Sequence, residues 1–126
     1  MAKILIIDDE EESSRTLLRL LLEEAGFSIL EADNGGKGLQ LFRENEIDLV
    51  ITDIIMPDKE GLETIMDLHK TAPSVKIIAI SGGSSVTEPS HYLTMAKQLG
   101  AHMTFTKPID KEQFLGSVKE LIGELD

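Results

Sequence analysis

Five short apolar runs, Lys3 to Ile7, Phe27 to Ala32, Ile47 to Thr52, Val75 to Ile80 and Met103 to Thr106, recur along the chain with helical patterning between them. The runs have the length and the β-branched content of buried strands. Between them, Leu17, Leu18, Leu21, Leu22 and Ala25 stand at helical spacing, as do Leu62, Ile65, Met66 and Leu68, then Tyr92, Leu93, Ala96 and Leu99. The last helix, with Phe114, Leu115, Val118, Leu121, Ile122 and Leu125, is the most regular; the second is the poorest, because Gly35, Gly36 and Gly38 weaken its start. Strict alternation of strand and helix demands crossovers, and right-handed crossovers place helices on both faces of a parallel sheet. The predicted fold is therefore α/β: a five-stranded parallel sheet, doubly wound, with five helices in a three-layer sandwich.

Local chemistry punctuates the elements. Gly26 and Gly100 stand where helices should stop, and Asp110 with Gln113 three residues on forms a variant capping box. A length of 126 residues suits one domain, 1–126, with the last helix consuming Asp110 to Asp126, so no output domain is expected to follow. Having no cysteine excludes a disulfide framework and thiolate metal sites, and no apolar run is long enough to span a bilayer. The start MAKILIIDDEEE is too short in its apolar stretch and too acidic to be a signal peptide, so a cytoplasmic protein without membrane attachment is expected. Twenty-three acidic against 12 basic residues, a net charge of -11, argue against direct nucleic-acid binding.

In an open parallel sheet the functional crevice lies beyond the carboxyl ends of the strands. There the sequence places Asp8 and Asp9 after the first strand, Asp53 after the third, Ser81 after the fourth, and Lys107-Pro108 after the fifth. Three carboxylates about 5 Å apart, at an effective dielectric near 20, repel by about 3 kcal/mol per pair. Either one acid is protonated or a divalent cation binds; clustered oxygen donors without His or Cys suit Mg²⁺, with Mn²⁺ as the alternative. A carboxylate beside such a cation, with an ammonium and a hydroxyl at hand, is an arrangement for accepting a phosphoryl group.

These residues carry a resemblance that extends over nearly the whole chain. The stretches ILIIDDEEESSRTLLRLLLEEAGF, IDLVITDIIMPDKEGLE, VKIIAIS and LGAHMTFTKPI resemble the receiver domain of two-component response regulators, of the flavodoxin-like, single-domain chemotaxis type. The resemblance implies that Asp53 is the phosphoacceptor, Asp9 a direct metal ligand, Asp8 an acid holding the metal through water, and Ile55 the donor of a backbone carbonyl to it. It makes Ser81 the switch hydroxyl, with Gly82 beside it leaving room for the phosphoryl group, and Lys107 the ammonium that pairs with that group, its peptide to Pro108 expected to be cis. The implied partners are a histidine kinase or histidine phosphotransfer protein as donor and an unidentified target protein, the chain itself being a monomer or weak dimer. Its catalysis would be limited to its own phosphorylation and dephosphorylation.

One position departs from the family pattern: where an aromatic usually stands three residues before the lysine, this chain has Thr104. Phe105 is next to it, and adjacent strand residues face opposite sides, so Phe105 is not expected to replace the missing ring. Ile55 and Gly83 hold positions that tune water access in the family, and Ile55 predicts a moderately long-lived phosphoaspartate. Simpler readings stand beside these. Asp8 and Asp9 could be helix-terminal acids, Asp53 a turn residue before Met56-Pro57-Asp58, and Lys107 a surface lysine; their convergence favours function. Asn34-Gly-Gly-Lys-Gly lacks P-loop spacing and reads as a turn, and His69, His91 and His102 lack ligand spacing. The alternatives are a Mg²⁺-dependent aspartyl-phosphate phosphatase, disfavoured by adjacent rather than alternate first-strand acids, and a phosphate-independent interaction module of the same fold.

Overall fold

The computed structural model describes residues 2–9, 15–54, 60–81, 89–107 and 109–123, without the side chains of 60 and 89–93. In chain order the elements are β1 (Lys3–Ile7), α1 (Thr16–Glu24), β2 (Ser28–Ala32), α2 (Gly35–Glu44), β3 (Leu49–Asp53), α3 (Glu60–Thr71), β4 (Ile77–Ser81), α4 (Pro89–Leu99), β5 (Met103–Thr106) and α5 (Lys111–Ile122). The five strands form one parallel sheet in the order β2-β1-β3-β4-β5, which is the doubly wound arrangement expected from the alternation.

Strand side chains alternate between two cores. On one face Ile4, Ile6, Leu49, Ile51, Ile78 and Ile80 pack with Leu18 and Leu22 of α1 and Phe114 and Val118 of α5. On the other, Leu5, Ile7, Val50, Ile77 and Ala79 pack with Ile65 and Leu68 of α3 and Ala96 of α4. Every residue of β3 and β4 is buried, as central strands covered on both sides require.

Three of the strands begin later than the apolar runs do, β2 at Ser28, β3 at Leu49 and β4 at Ile77. Phe27 and Val75 are buried but donate their backbone N–H groups to Leu22 and Ala72, closing α1 and α3, so both belong to helix ends. The stretch read as a turn at Asn34 is the start of α2: the Asn34 side chain accepts the Lys37 N–H at 2.9 Å and caps the helix, with Gly35 and Gly36 in its first turn. Gly38 is buried, and a Cβ there would fall 2.4 Å from the Ile7 Cδ1, so the glycine lets α2 settle directly on the end of β1. Gly26, Gly100 and Gly123 follow α1, α4 and α5 with positive φ, which is the left-handed helix stop that favours glycine.

The α1 leucines divide differently from expectation. Leu18 and Leu22 are buried and Leu21 packs at their edge, but Leu17 is 55% exposed, as is Leu20 at 52%. Glu31 ties α1 to the edge strand β2, its carboxylate forming ion pairs with Arg15 at 3.3 Å and Arg19 at 3.0 Å; Arg15 is the residue just before α1. At the far end of the molecule the Lys76 ammonium donates to the Leu121 carbonyl, satisfying a C-terminal acceptor of α5. No described helix is long and apolar enough to cross a membrane.

Candidate functional site

Four strand ends meet at one rim, each pinned to its neighbour by a backbone hydrogen bond. The Asp8 N–H donates to Ala32 at 3.0 Å, the Ile54 N–H to Ile80 at 2.9 Å, and the Lys107 N–H to Ser81 at 2.9 Å. Asp53 and Ser81 are the last residues of β3 and β4, and Asp8 and Lys107 directly follow the last residues of β1 and β5. Parallel register thus delivers four side chains to one place from segments more than 25 residues apart.

Asp8, Asp53 and Ser81 are buried, whereas Asp9 is exposed at the mouth. The Lys107 ammonium lies 3.1 Å from the Asp53 Oδ2 and 3.6 Å from the Asp8 Oδ2, with its side chain 18% exposed. One carboxylate oxygen from each of Asp8, Asp9 and Asp53 falls within 4.8 Å of the others. Carboxylates at that separation repel, each like pair costing about 3 kcal/mol at an effective dielectric near 20, and the Lys107 ammonium by itself carries one charge against three. The donor set is all oxygen, and it brings together three carboxylates. Both fit a hard divalent cation, for which Asp8, Asp9 and Asp53 would be the protein ligands.

Ser81 Oγ is buried without a hydrogen-bond partner among the described residues, an unusual state for a hydroxyl. It stands at the end of the strand beside Asp53, where an oxygen-rich ligand would satisfy it. Behind it on β5, in register with Ala79 and Ser81, are Thr104 and Thr106. Phe105 faces the other way and packs edge-on against Phe114, with ring centroids 5.4 Å apart. The ring neighbouring Thr104 is therefore committed to the α1/α5 core. Thr52 donates its hydroxyl to the Asp53 carbonyl at 3.1 Å.

Asp8, Asp9, Asp53, Ser81 and Lys107 are brought together; Ile55, Gly82, Gly83 and Pro108 lie outside the described residues. Beyond the rim, Asp33 pairs with Lys37 at 3.2 Å, and that hydrogen bond lowers its carboxyl below the usual aspartate value. Neither the Asp33 pair nor the Arg15 and Arg19 pairs with Glu31 were anticipated from sequence. Helical i, i+4 spacing could have suggested the first, but only the fold brings Glu31 to α1.

A parallel α/β domain that gathers acids, a hydroxyl and a lysine at its strand ends is the architecture of an aspartate-centred signalling switch. The chain matches the response regulator receiver domain family over residues 4–119 and belongs to that family. It is similar to protein PilH of Pseudomonas aeruginosa, 32% identical over 98% of this chain and 99% of PilH. The transcriptional regulatory protein CpxR of Escherichia coli is 30% identical over 97% of this chain, which spans only half of CpxR. Among solved structures, a response regulator receiver domain from Clostridium thermocellum is 30% identical with a TM-score of 0.86, covering 98% of this chain and 96% of that one. A CheY-like receiver domain from Methanospirillum hungatei is 28% identical with a TM-score of 0.85, covering 98% and 95%. The protein is thus a phosphorylatable receiver of two-component signalling.

Proposed function

We propose that Asp53 is the phosphoacceptor, that Asp8 and Asp9 hold Mg²⁺ beside it, and that Ser81 and Lys107 receive the phosphoryl oxygens. The observation that carries this reading is the 3.1 Å contact of the Lys107 ammonium with a buried Asp53, at a rim where Ser81 Oγ has no partner among the described residues. The donor is a phosphohistidine on a kinase or phosphotransfer protein. An Asp53 carboxylate oxygen attacks phosphorus, the N–P bond breaks with its electron pair returning to the imidazole, and an acyl phosphate forms on Asp53. Bound Mg²⁺ supplies charge neutralisation for the phosphoryl oxygens. Lys107 moves from bridging two carboxylates to pairing with a phosphoryl oxygen, and Ser81 donates its O–H to another. Partner binding then reports the modification.

The test is the mass of the intact protein after incubation with Mg²⁺ and a small phosphodonor. Wild type is expected to gain one phosphoryl group and Asp53→Asn none. An equal gain in both would remove Asp53 from the role, and no gain in either would remove the activity. Ile55, a sequence-based candidate for a backbone metal ligand and for shielding the acyl phosphate, is part of the same proposal: Ile55→Asn is expected to shorten the lifetime of the label.

A further inference from the structure

The tightest approach that a glycine makes to backbone among the described residues lies directly under the phosphoacceptor. Gly61, buried in the first turn of α3, sits so close to the end of β3 that a Cβ on it would fall 2.3 Å from the Ile54 Cα, 2.5 Å from the Asp53 carbonyl oxygen and 2.8 Å from the Ile54 carbonyl carbon. Its φ lies outside the left-handed region, so backbone conformation alone does not require glycine here. Space does. Gly38 makes a similarly close approach, but to the tip of the Ile7 side chain, which turns aside more easily than a peptide does.

The peptide that Gly61 presses on is held from its other sides as well. The Ile54 N–H is bonded to Ile80 on β4 at 2.9 Å, and the Asp53 carbonyl accepts the Thr52 hydroxyl at 3.1 Å. The Ile54 side chain is buried. The Asp53–Ile54 peptide is thus held between β4 and the first turn of α3. The Asp53 carboxylate that this backbone carries lies 3.1 Å from Lys107, with an oxygen within 4.8 Å of Asp8 and Asp9.

We propose that Gly61 is a positioning residue for phosphoryl transfer: the bare Cα lets α3 clamp the Asp53–Ile54 peptide, and that clamp sets the Asp53 carboxylate at the distance the cation and Lys107 require. The inference rests on Asp53 being the phosphoacceptor. A methyl at position 61 would have to displace either α3 or the peptide by about 1 Å to restore normal contact. A displacement of about 1 Å at a reacting group costs on the order of a hundredfold in rate. Alanine also favours a helix more than glycine does, which works in favour of the variant folding.

The experiment compares Gly61→Ala with Leu68→Ala, a cavity variant in the same helix, buried against the sheet but away from the rim. Full-length proteins are measured by urea unfolding, by Mg²⁺ calorimetry without phosphodonor, by labelling rate at saturating Mg²⁺, and by exchange of the Ile54 amide without metal. For Gly61→Ala, Mg²⁺ affinity is expected to fall about tenfold, labelling at saturating Mg²⁺ up to about a hundredfold, and Ile54 protection beyond the global loss of stability. Leu68→Ala, equally or more destabilised, is expected to stay within about threefold of wild type in affinity and rate. Thr52→Val, which removes only the hydroxyl on the same carbonyl, is expected to weaken Mg²⁺ binding by about threefold. The clamp is overturned if Gly61→Ala binds Mg²⁺ and takes label like wild type, if Leu68→Ala loses as much, or, should Gly61→Ala not fold, if Thr52→Val is unchanged. A wild type that takes no label would defeat the phosphoacceptor reading instead, and Mg²⁺ affinity with Ile54 exchange would still decide the role of Gly61.

Discussion

Asp9 differs from the other two acids of the rim in being exposed. Neutralising it removes one of three carboxylates whose oxygens lie within 4.8 Å of one another. Asp9→Asn is expected to raise the stability of the metal-free protein by about 1 kcal/mol, less than the Coulomb figure because solvent screens an exposed group. The same change should abolish the stabilisation that Mg²⁺ gives to wild type. Urea unfolding with and without Mg²⁺ measures both, and a wild-type response to Mg²⁺ in the variant would take Asp9 out of the ligand set. The rim acids, Ser81 and Lys107 were legible in the sequence because a parallel sheet sends its strand ends to one edge, so position along each run was enough to find them. Gly61 was not legible in that way. Its importance comes from a helix turn landing on a strand end, a contact between segments that sequence periodicity does not encode.

Among the elements, strands were easier to read than helix faces. The β1 and β5 boundaries follow the apolar runs, whereas Phe27 and Val75 look like strand residues and serve helix ends through their backbone N–H groups. In α1 the run from Leu17 to Leu22 holds five leucines, more than one buried stripe accommodates, and composition alone does not say which are left over. Leu17 and Leu20 are the ones left to solvent. At α2, the Asn34 cap and the place Gly38 makes for Ile7 offset the poor helix propensity of three glycines, which is why a weak-looking start is a real helix. The contact of α5 with β5 rests on Phe114, fully buried and edge-on to Phe105. Phe114→Ala is expected to cost about 3–5 kcal/mol, measured by denaturant unfolding, and a loss under 1 kcal/mol would show that α5 is not anchored there.

At the scale of the whole molecule, the sheet does not hold its rim residues with equal firmness. β1 and β3, which carry Asp8 and Asp53, are inner strands with a partner on either side. Lys107 follows β5, an edge strand of four residues with one partner and an exposed last residue. Local opening follows the number of buried neighbours. Amide exchange in β5 is accordingly expected to proceed through openings that leave β1 and β3 protected; equal protection in all three would contradict this. The positive charge thus follows an edge strand, while the negative charges stand at the ends of inner strands. A phosphoryl group arriving at Asp53 would then change the opening equilibrium of the outer strand far more than that of the inner ones, so a signal made in the interior would be expressed as order or disorder along one margin.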